Sequence, residues 1–353
     1  MTERRTVADV GEHELIARVR ARVAPPPAWV LLGIGDDAAI VLPERSTADV
    51  ITTDAVVEGV HFDRAFVPPS DIGARALAVN LSDLAAMGAT PRAAVVSFGL
   101  PAALPLVDYD ALVGGLADVA DRYGVAVVGG NITRSPGPLF VDVTVTGAVH
   151  TRKALTRHGG RPGDELYLTG RPGGAAAALE WLQRRTAADA PIDAWPDEEM
   201  HDAVTRYRRP EPRVRLGGLV ARNRAASACM DTSDGLADAV RQVAEASGTG
   251  AVIDAAGVPW HPATAMVWPD PGQRLDRSLA GGDDYELLFA VPARRRRAFA
   301  AVARRAHGFP VTRIGRLTAD RALVVQGADH PVALPAGFAH FGSTAGAHGP
   351  GGH

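Results

Sequence analysis

The sequence contains one cysteine, Cys229, and one lysine, Lys153, in 353 residues. A lone thiol closes no internal disulfide and builds no cysteine-based zinc site, so a reducing, cytoplasmic setting is expected. The lone lysine stands in TRKALTR, outside any GxxxxGK[ST] string, which excludes a P-loop nucleotidase. Neither sign of charge dominates: 37 basic against 40 acidic residues give a net charge of -3 and a pI near 6.4, with no basic footprint for nucleic acid. No apolar run approaches the roughly 18 residues of a membrane span. The opening MTERRTVADVGEHELIARVR lacks the basic cap and apolar stretch of a signal peptide. There is no G-x-S-x-G elbow for a hydrolase serine and no D-x-[DN]-x-[DN]-G calcium loop.

What is present is an average soluble composition, 46% apolar and 22% charged, in a chain long enough for two domains at roughly 150 residues each. Leu15, Ile16, Val19 and Val23 share one helical face over 11–23, and Pro25-Pro26-Pro27 stops that helix. Strands are predicted at 38–42, 48–57, 93–100, 125–130 and 139–149, with helices over 70–87, N-capped by Ser70, and 107–123. This mixed order predicts an α+β domain over 1–150. The pattern restarts with a strand at 165–170, helices over 173–185, 198–207, 212–221 and 234–247, a strand at 285–292, an Arg-rich helix over 293–306 and short strands near 311–325. A second α+β domain over 151–341 is expected, followed by a Gly-rich, disordered tail at 342–353.

The chemistry concentrates in acidic turns beside glycines. GIGDDAA offers Asp36 and Asp37, TTDAVVEGVHF Asp54, NLSDLAAMGA Asp83, MDTSDG Asp231 and Asp234, and GGDDYEL Asp283 and Asp284. Carboxylate and hydroxyl oxygens dispersed in this way suit several Mg²⁺ ions on a polyphosphate, because Mg²⁺ takes one or two carboxylates and completes its shell with water and phosphate. Each turn also has a plain structural reading. Asp231, Ser233 and Asp234 suit the cap of a helix starting near 234, and His61 suits ordinary packing.

Taken in order, GIGDDAA, TTDAVVEGVHF, ALAVNLSDLAAMGA, VVGGN, ALTR, RPGDELYLTG, RPEPR, DTSDG and AGGDDYEL resemble the thiamine-monophosphate kinase family of the aminoimidazole ribonucleotide synthetase-like superfamily, from residue 33 to about 340. The resemblance implies a two-domain α+β fold, mixed sheets with helices packed on one face, and a homodimer built through the first domain. It implies ATP-dependent, Mg²⁺-assisted, in-line phosphorylation of thiamine monophosphate to thiamine diphosphate. By the same resemblance Asp37, Thr52, Thr53, Asp54, Asp83, Asn131, Asp231 and Asp234 fall on metal positions. Gly130, Asn131, Arg157 and Ser233 fall on ATP positions, and His61, Asp283 and Phe338 on substrate positions. Asp54, Asp83, Arg157 and Asp234 are the implied catalytic set.

Two residues depart from the family pattern. Asn131 stands where GGD is usual, and Asp283 stands where a glutamate is usual, one methylene longer. They motivate an alternative, a nucleotide- or thiamine-phosphate-binding protein with weakened turnover. Another ATP-dependent enzyme of the superfamily is the other alternative. A selenophosphate synthetase lacks its reactive N-terminal cysteine here, a carbamoyl-dehydrating hydrogenase-maturation protein lacks its C-terminal cysteine, and aminoimidazole ribonucleotide synthetase matches the acidic strings less well.

Overall fold

The structure, a computed structural model, describes residues 5–306, 308–327 and 332–335. The tail expected at 342–353 and Phe338 lie outside the described residues. Among those described, no helix is long and apolar enough to cross a membrane.

The first half comprises α1 (Glu12–Arg22), a ribbon of β1 (Val30–Leu32) and β2 (Ile40–Val41), then β3 (Ala48–Val57), α2 (Pro69–Ala86), β4 (Thr90–Pro101), α3 (Leu106–Tyr123), β5 (Ala126–Ser135) and β6 (Phe140–Val149). Its four-stranded sheet has the order β3-β6-β4-β5 and is antiparallel except for the β4–β5 pair. In β6, FVDVTVTGAV alternates strictly, so Val141, Val143 and Val145 are buried while Asp142, Thr144 and Thr146 look the other way. The buried row packs on α2, and helices cover that face only. The opposite face leaves Ile51 and Val95 exposed.

α2 is buried on almost every side, 14 of its 18 residues being inaccessible, as its alanine-rich sequence allows. Pro68 occupies its N-cap and Pro69 its first position, so Ser70, expected as the cap, lies inside the first turn. Gly73 lets α3 approach: a Cβ there would stand 1.9 Å from the Leu112 carbonyl oxygen. β5 runs on to Ser135 rather than ending at 130, which places Asn131 inside a paired strand.

The second half contains β7 (Glu165–Thr169), α4 (Gly174–Ala187), α5 (Glu198–Arg208), α6 (Val214–Asn223), β8 (Ala228–Asp231), α7 (Leu236–Ser247), β9 (Gly250–Asp254), α8 (Ala263–Val267), α9 (Pro271–Ala280), β10 (Leu287–Val291), α10 (Arg296–Ala303), β11 (Val311–Thr318), β12 (Leu323–Gln326) and β13 (Val332–Ala333). Its sheet has the order β13-β12-β9-β11-β7-β10-β8. Leu166, Leu168, Met230 and Leu288 face α7 and α9, while Cys229, Leu287 and Phe289 face α6 and α10. The helix expected over 293–306 is a 3-10 turn, Ala293–Arg295, followed by the shorter α10.

Strands β8 and β9 and helix α8, of four, five and five residues, are too short for periodicity to read. β8 is four residues buried on both faces, so no alternation exists to see. α2 joins the halves, contacting β3 and β6 on one side and α6 and β8 on the other.

Candidate active site

The pleat of β3 divides its Thr52-Thr53-Asp54 run between the two faces of the sheet. Thr52 points to α2 and donates its hydroxyl hydrogen to the Asp83 carboxylate. Thr53 points to the open face, donating to Asp142 Oδ1 at 3.0 Å and accepting from the Thr144 hydroxyl at 3.0 Å. Asp54 returns to the helix side, where its carboxyl is hydrogen-bonded to that of Asp83. Two carboxyls in such contact share a proton unless a cation replaces it.

β8 delivers Asp231 to the same place from the second half. Ser82, beside Asp83 on α2, donates to Asp231 Oδ2 at 2.6 Å, and Ser233 donates to Oδ1 at 3.1 Å. α7 begins at Leu236 with Gly235 in the cap position and no side-chain cap bond, so the capping role open to Asp231 and Ser233 is not taken up.

Electrostatics joins these groups. Burial, then the Asp231 charge, pushes Asp54 up to about 6, and Asp234 and Asp142 add to the push. Asp83 rises to about 6 through burial, against the Thr52 hydroxyl bond and with the Asp54 charge. Asp231 rises to about 6 through burial and the Asp83 charge. Arg157 opposes the rise at Asp83 and Asp231, and its guanidinium is aimed by a hydrogen bond to Gln242, itself held by Asp238 of α7.

Among the described residues, no three His, Cys, Asp or Glu side chains form a group able to hold a metal ion. The donors that do converge are hard oxygens carrying more negative charge than their surroundings tolerate. That set fits Mg²⁺ ions completed by phosphate and water oxygens, and fits a softer metal poorly.

The other expected residues lie apart from this cluster. Asp37, Gly130 and Asn131 line a cavity of about 1060 Å³ between α1, the Gly35–Ala39 turn and the β5 edge. Asp54 pairs with Val143, Val143 with Val96 and Val96 with Gly130. Three strand spacings, roughly 14 Å, therefore separate the two groups. His61 sits in the turn after β3, its Nδ1 accepting the Val57 N–H at 3.2 Å.

Asp283 and Tyr285 both adopt left-handed backbone, at φ 71° and 50°. Each non-glycine residue there costs on the order of 1–2 kcal/mol. The reversal turns Asp283 toward Arg75 of α2 and the Tyr285 hydroxyl, and turns Asp284 onto the start of α4. Sequence reading missed Arg75, Ser82, Asp142 and Tyr285. Asp142 alone left a trace, as the one carboxylate in an otherwise alternating apolar and threonine strand.

Comparison with known proteins follows the same geography. Residues 35–149 match the AIR synthase related protein N-terminal domain, and residues 161–328 the corresponding C-terminal domain. The chain is 41% identical over 340 residues to the thiamine-monophosphate kinase of Escherichia coli, covering 94% of this chain and 98% of that one. The crystal structure of the thiamine-monophosphate kinase of Stenotrophomonas maltophilia superposes with a TM-score of 0.79 at 37% identity, over 90% of this chain and 97% of that chain. AaThiL complexed with AMPPCP and TMP superposes at 0.72 with 29% identity, over 85% and 89%.

Proposed function

The chain belongs to the AIR synthase related family, among its thiamine-monophosphate kinases, and from that premise we propose how its residues divide the work. The protein transfers the γ-phosphoryl group of ATP to the phosphate of thiamine monophosphate, yielding thiamine diphosphate and ADP. The observation that carries the residue assignment is the meeting of Asp54, Asp83 and Asp231, from three elements and both halves, within reach of Arg157.

Donor and acceptor are both anionic, so the first requirement is to cancel their repulsion. Asp54, Asp83, Asp231 and Asp234 would hold Mg²⁺ where the two halves meet, and Asp37 and Asn131 would hold it at the β5 edge. The chemistry such a cation would supply is screening of the phosphate oxygens and stabilisation of the charge that develops in transfer. Arg157 takes up ATP phosphate charge, and the Ser233 hydroxyl and the Gly130 backbone complete the nucleotide contacts. Thr52 fixes the Asp83 carboxylate. Thr53, on the open face, orients Asp142.

The acceptor oxygen is already ionised, so no general base is needed and positioning suffices. His61 and Asp283 flank the thiamine end, with Tyr285 behind Asp283. Transfer is direct and in line. Cys229, the one thiol, is 2% exposed and burial pushes it well above the usual thiol range, which removes it as a nucleophile.

The protein works as a cytoplasmic homodimer. Support for the dimer comes from the open sheet face and the adjoining ribbon, where the apolar side chains of Leu31, Ile40, Leu42, Ile51 and Val95 are exposed. The deciding assay mixes purified protein, ATP, millimolar Mg²⁺ and thiamine monophosphate. Thiamine diphosphate is expected one-for-one with ADP, with no phosphorylated protein trapped on quenching. ADP released without thiamine diphosphate would refute the assigned acceptor.

A further inference from the structure

A second cavity, of about 270 Å³, lies between the loop joining the two halves and the far ends of β8 and β10. Six cationic side chains line it: Arg152, Lys153, Arg161, Arg224, Arg294 and Arg295. Among the described residues, none of the six forms an ion pair. The acid in the lining, Asp164, is already committed, accepting from the Ser227 hydroxyl at 2.6 Å and the Arg161 backbone N–H at 3.1 Å. Its neighbour Glu165 is held by Arg296 and Arg313.

The cavity has a fixed frame. Leu155, Ala221 and Ala226 give it a buried apolar floor. Arg295 is anchored by donating to the Ala226 carbonyl at 2.9 Å. Arg224 stands at φ 49°, at the left-handed end of α6 where glycine is the cheaper residue. A protein of net charge -3 thus gathers six cations against one carboxylate, Asp164, around one small space. Mutual repulsion in a cleft is costly, and a multiply charged anion relieves it.

We propose that this cavity is a second anion site, specific for a small ligand carrying a short chain of phosphates. Guanidinium forks match phosphate oxygens in pairs, and five of the six cations are arginines. The volume sits at the lower edge of small-ligand pockets, large enough for two or three phosphates and too small for a nucleic-acid strand. The site is separate from the phosphoryl-transfer cluster. Ser227 and Pro292 flank it at one end of the β8–β10 pair, and Asp231 lies at the other, roughly 13 Å along the strand. The segment it would grip on both sides, 152–161, carries Arg157, and Thr156 is tied to β8 by the Cys229 N–H at 2.9 Å. Occupancy therefore has a covalent route to the arginine on the ATP side.

The test uses full-length protein in magnesium-free buffer, titrated calorimetrically with inorganic tripolyphosphate, inorganic phosphate and ADP. The variants are Arg224→Glu/Arg294→Glu and, as a gentler pair, Arg152→Gln/Lys153→Gln, each checked for an unchanged melting temperature. Tripolyphosphate is expected to bind the parent at least tenfold more tightly than either variant, with affinity falling as salt rises. ADP showing the same loss in the variants would extend the ligand class to nucleotide phosphates; loss for tripolyphosphate alone would confine it to the bare chain. Equal affinity in parent and both variants would overturn the proposal, by assigning the binding to the catalytic cleft. No binding to the parent, or a single-stranded RNA displacing tripolyphosphate from it, would overturn it as well.

Discussion

Arg75 of α2 and Asp283 of the GGDDYEL turn form an ion pair at 2.5 Å that crosses from one half of the protein to the other. The arginine is 1% exposed, lies 4.9 Å from the Tyr207 ring centroid and donates its other branch to the Tyr207 carbonyl. The pair sets where the shortened acid at 283 can point. Arg75→Met leaves Asp283 without its partner in a poorly solvated turn, and removing one member of such a pair costs about 3 kcal/mol. We expect that loss in urea unfolding, together with a tenfold or larger rise in KM for thiamine monophosphate and a smaller change in kcat. An unchanged KM would detach Asp283 from the substrate.

Asp231→Asn should separate stability from activity. The carboxyl is buried among Asp54 and Asp83, so removing its charge relieves repulsion and stabilises the metal-free protein by on the order of 1 kcal/mol. Activity should fall at least a hundredfold, and the rise in melting temperature on adding Mg²⁺ with ATP should shrink. Thermal melts with and without Mg²⁺, beside steady-state rates, check both effects. A destabilised Asp231→Asn protein would contradict the charge-relief argument.

Asn131→Asp restores a charge at the β5 edge, beside Asp36 and Asp37. The expected outcome is a lower Mg²⁺ concentration at half-maximal rate, with kcat changed less than twofold, read from a magnesium titration at saturating substrates. If the half-maximal concentration does not move, Asn131 supplies no cation contact.

Asp284 predicts a pH dependence of stability. Burial, against hydrogen bonds from the Gly173 and Ala175 N–H groups, pushes its carboxyl up to about 7 from an ordinary 3.8. The folded protein therefore keeps a proton that the unfolded chain gives up near pH 4. Its contribution is complete below that pH and is lost as pH rises toward 7. Asp284→Asn cannot ionise, so the fall in stability between pH 4.5 and 7.5, measured by urea unfolding, should flatten relative to the parent.

The acidic strings were legible because turns beside glycine leave short, ordered signatures, and NLSDLAAMGA and DTSDG lead directly to Asp83 and Asp231. Their partners were not legible. Arg75 reads as an ordinary helix residue until α2 is seen to be buried on all sides, and Ser82 gains its role only when β8 arrives 149 residues later in the chain. The strand order hid the distance between Asp54 and Gly130, which sit at similar depths in their strands but on opposite edges of one sheet. Ser70 misled because its side chain suits a cap, while the fixed φ of Pro69 set the helix start.

The alternation of Thr52, Thr53 and Asp54 between two faces makes β3 intolerant of changes in length. Inserting or deleting one residue between 48 and 57 would send Asp54 to the open side and bring a threonine, or nothing, to Asp83. Length variation among descendants of this sequence should then collect in the turns flanking the strand, at 42–47 and 58–66, while the ten positions of β3 change only by substitution.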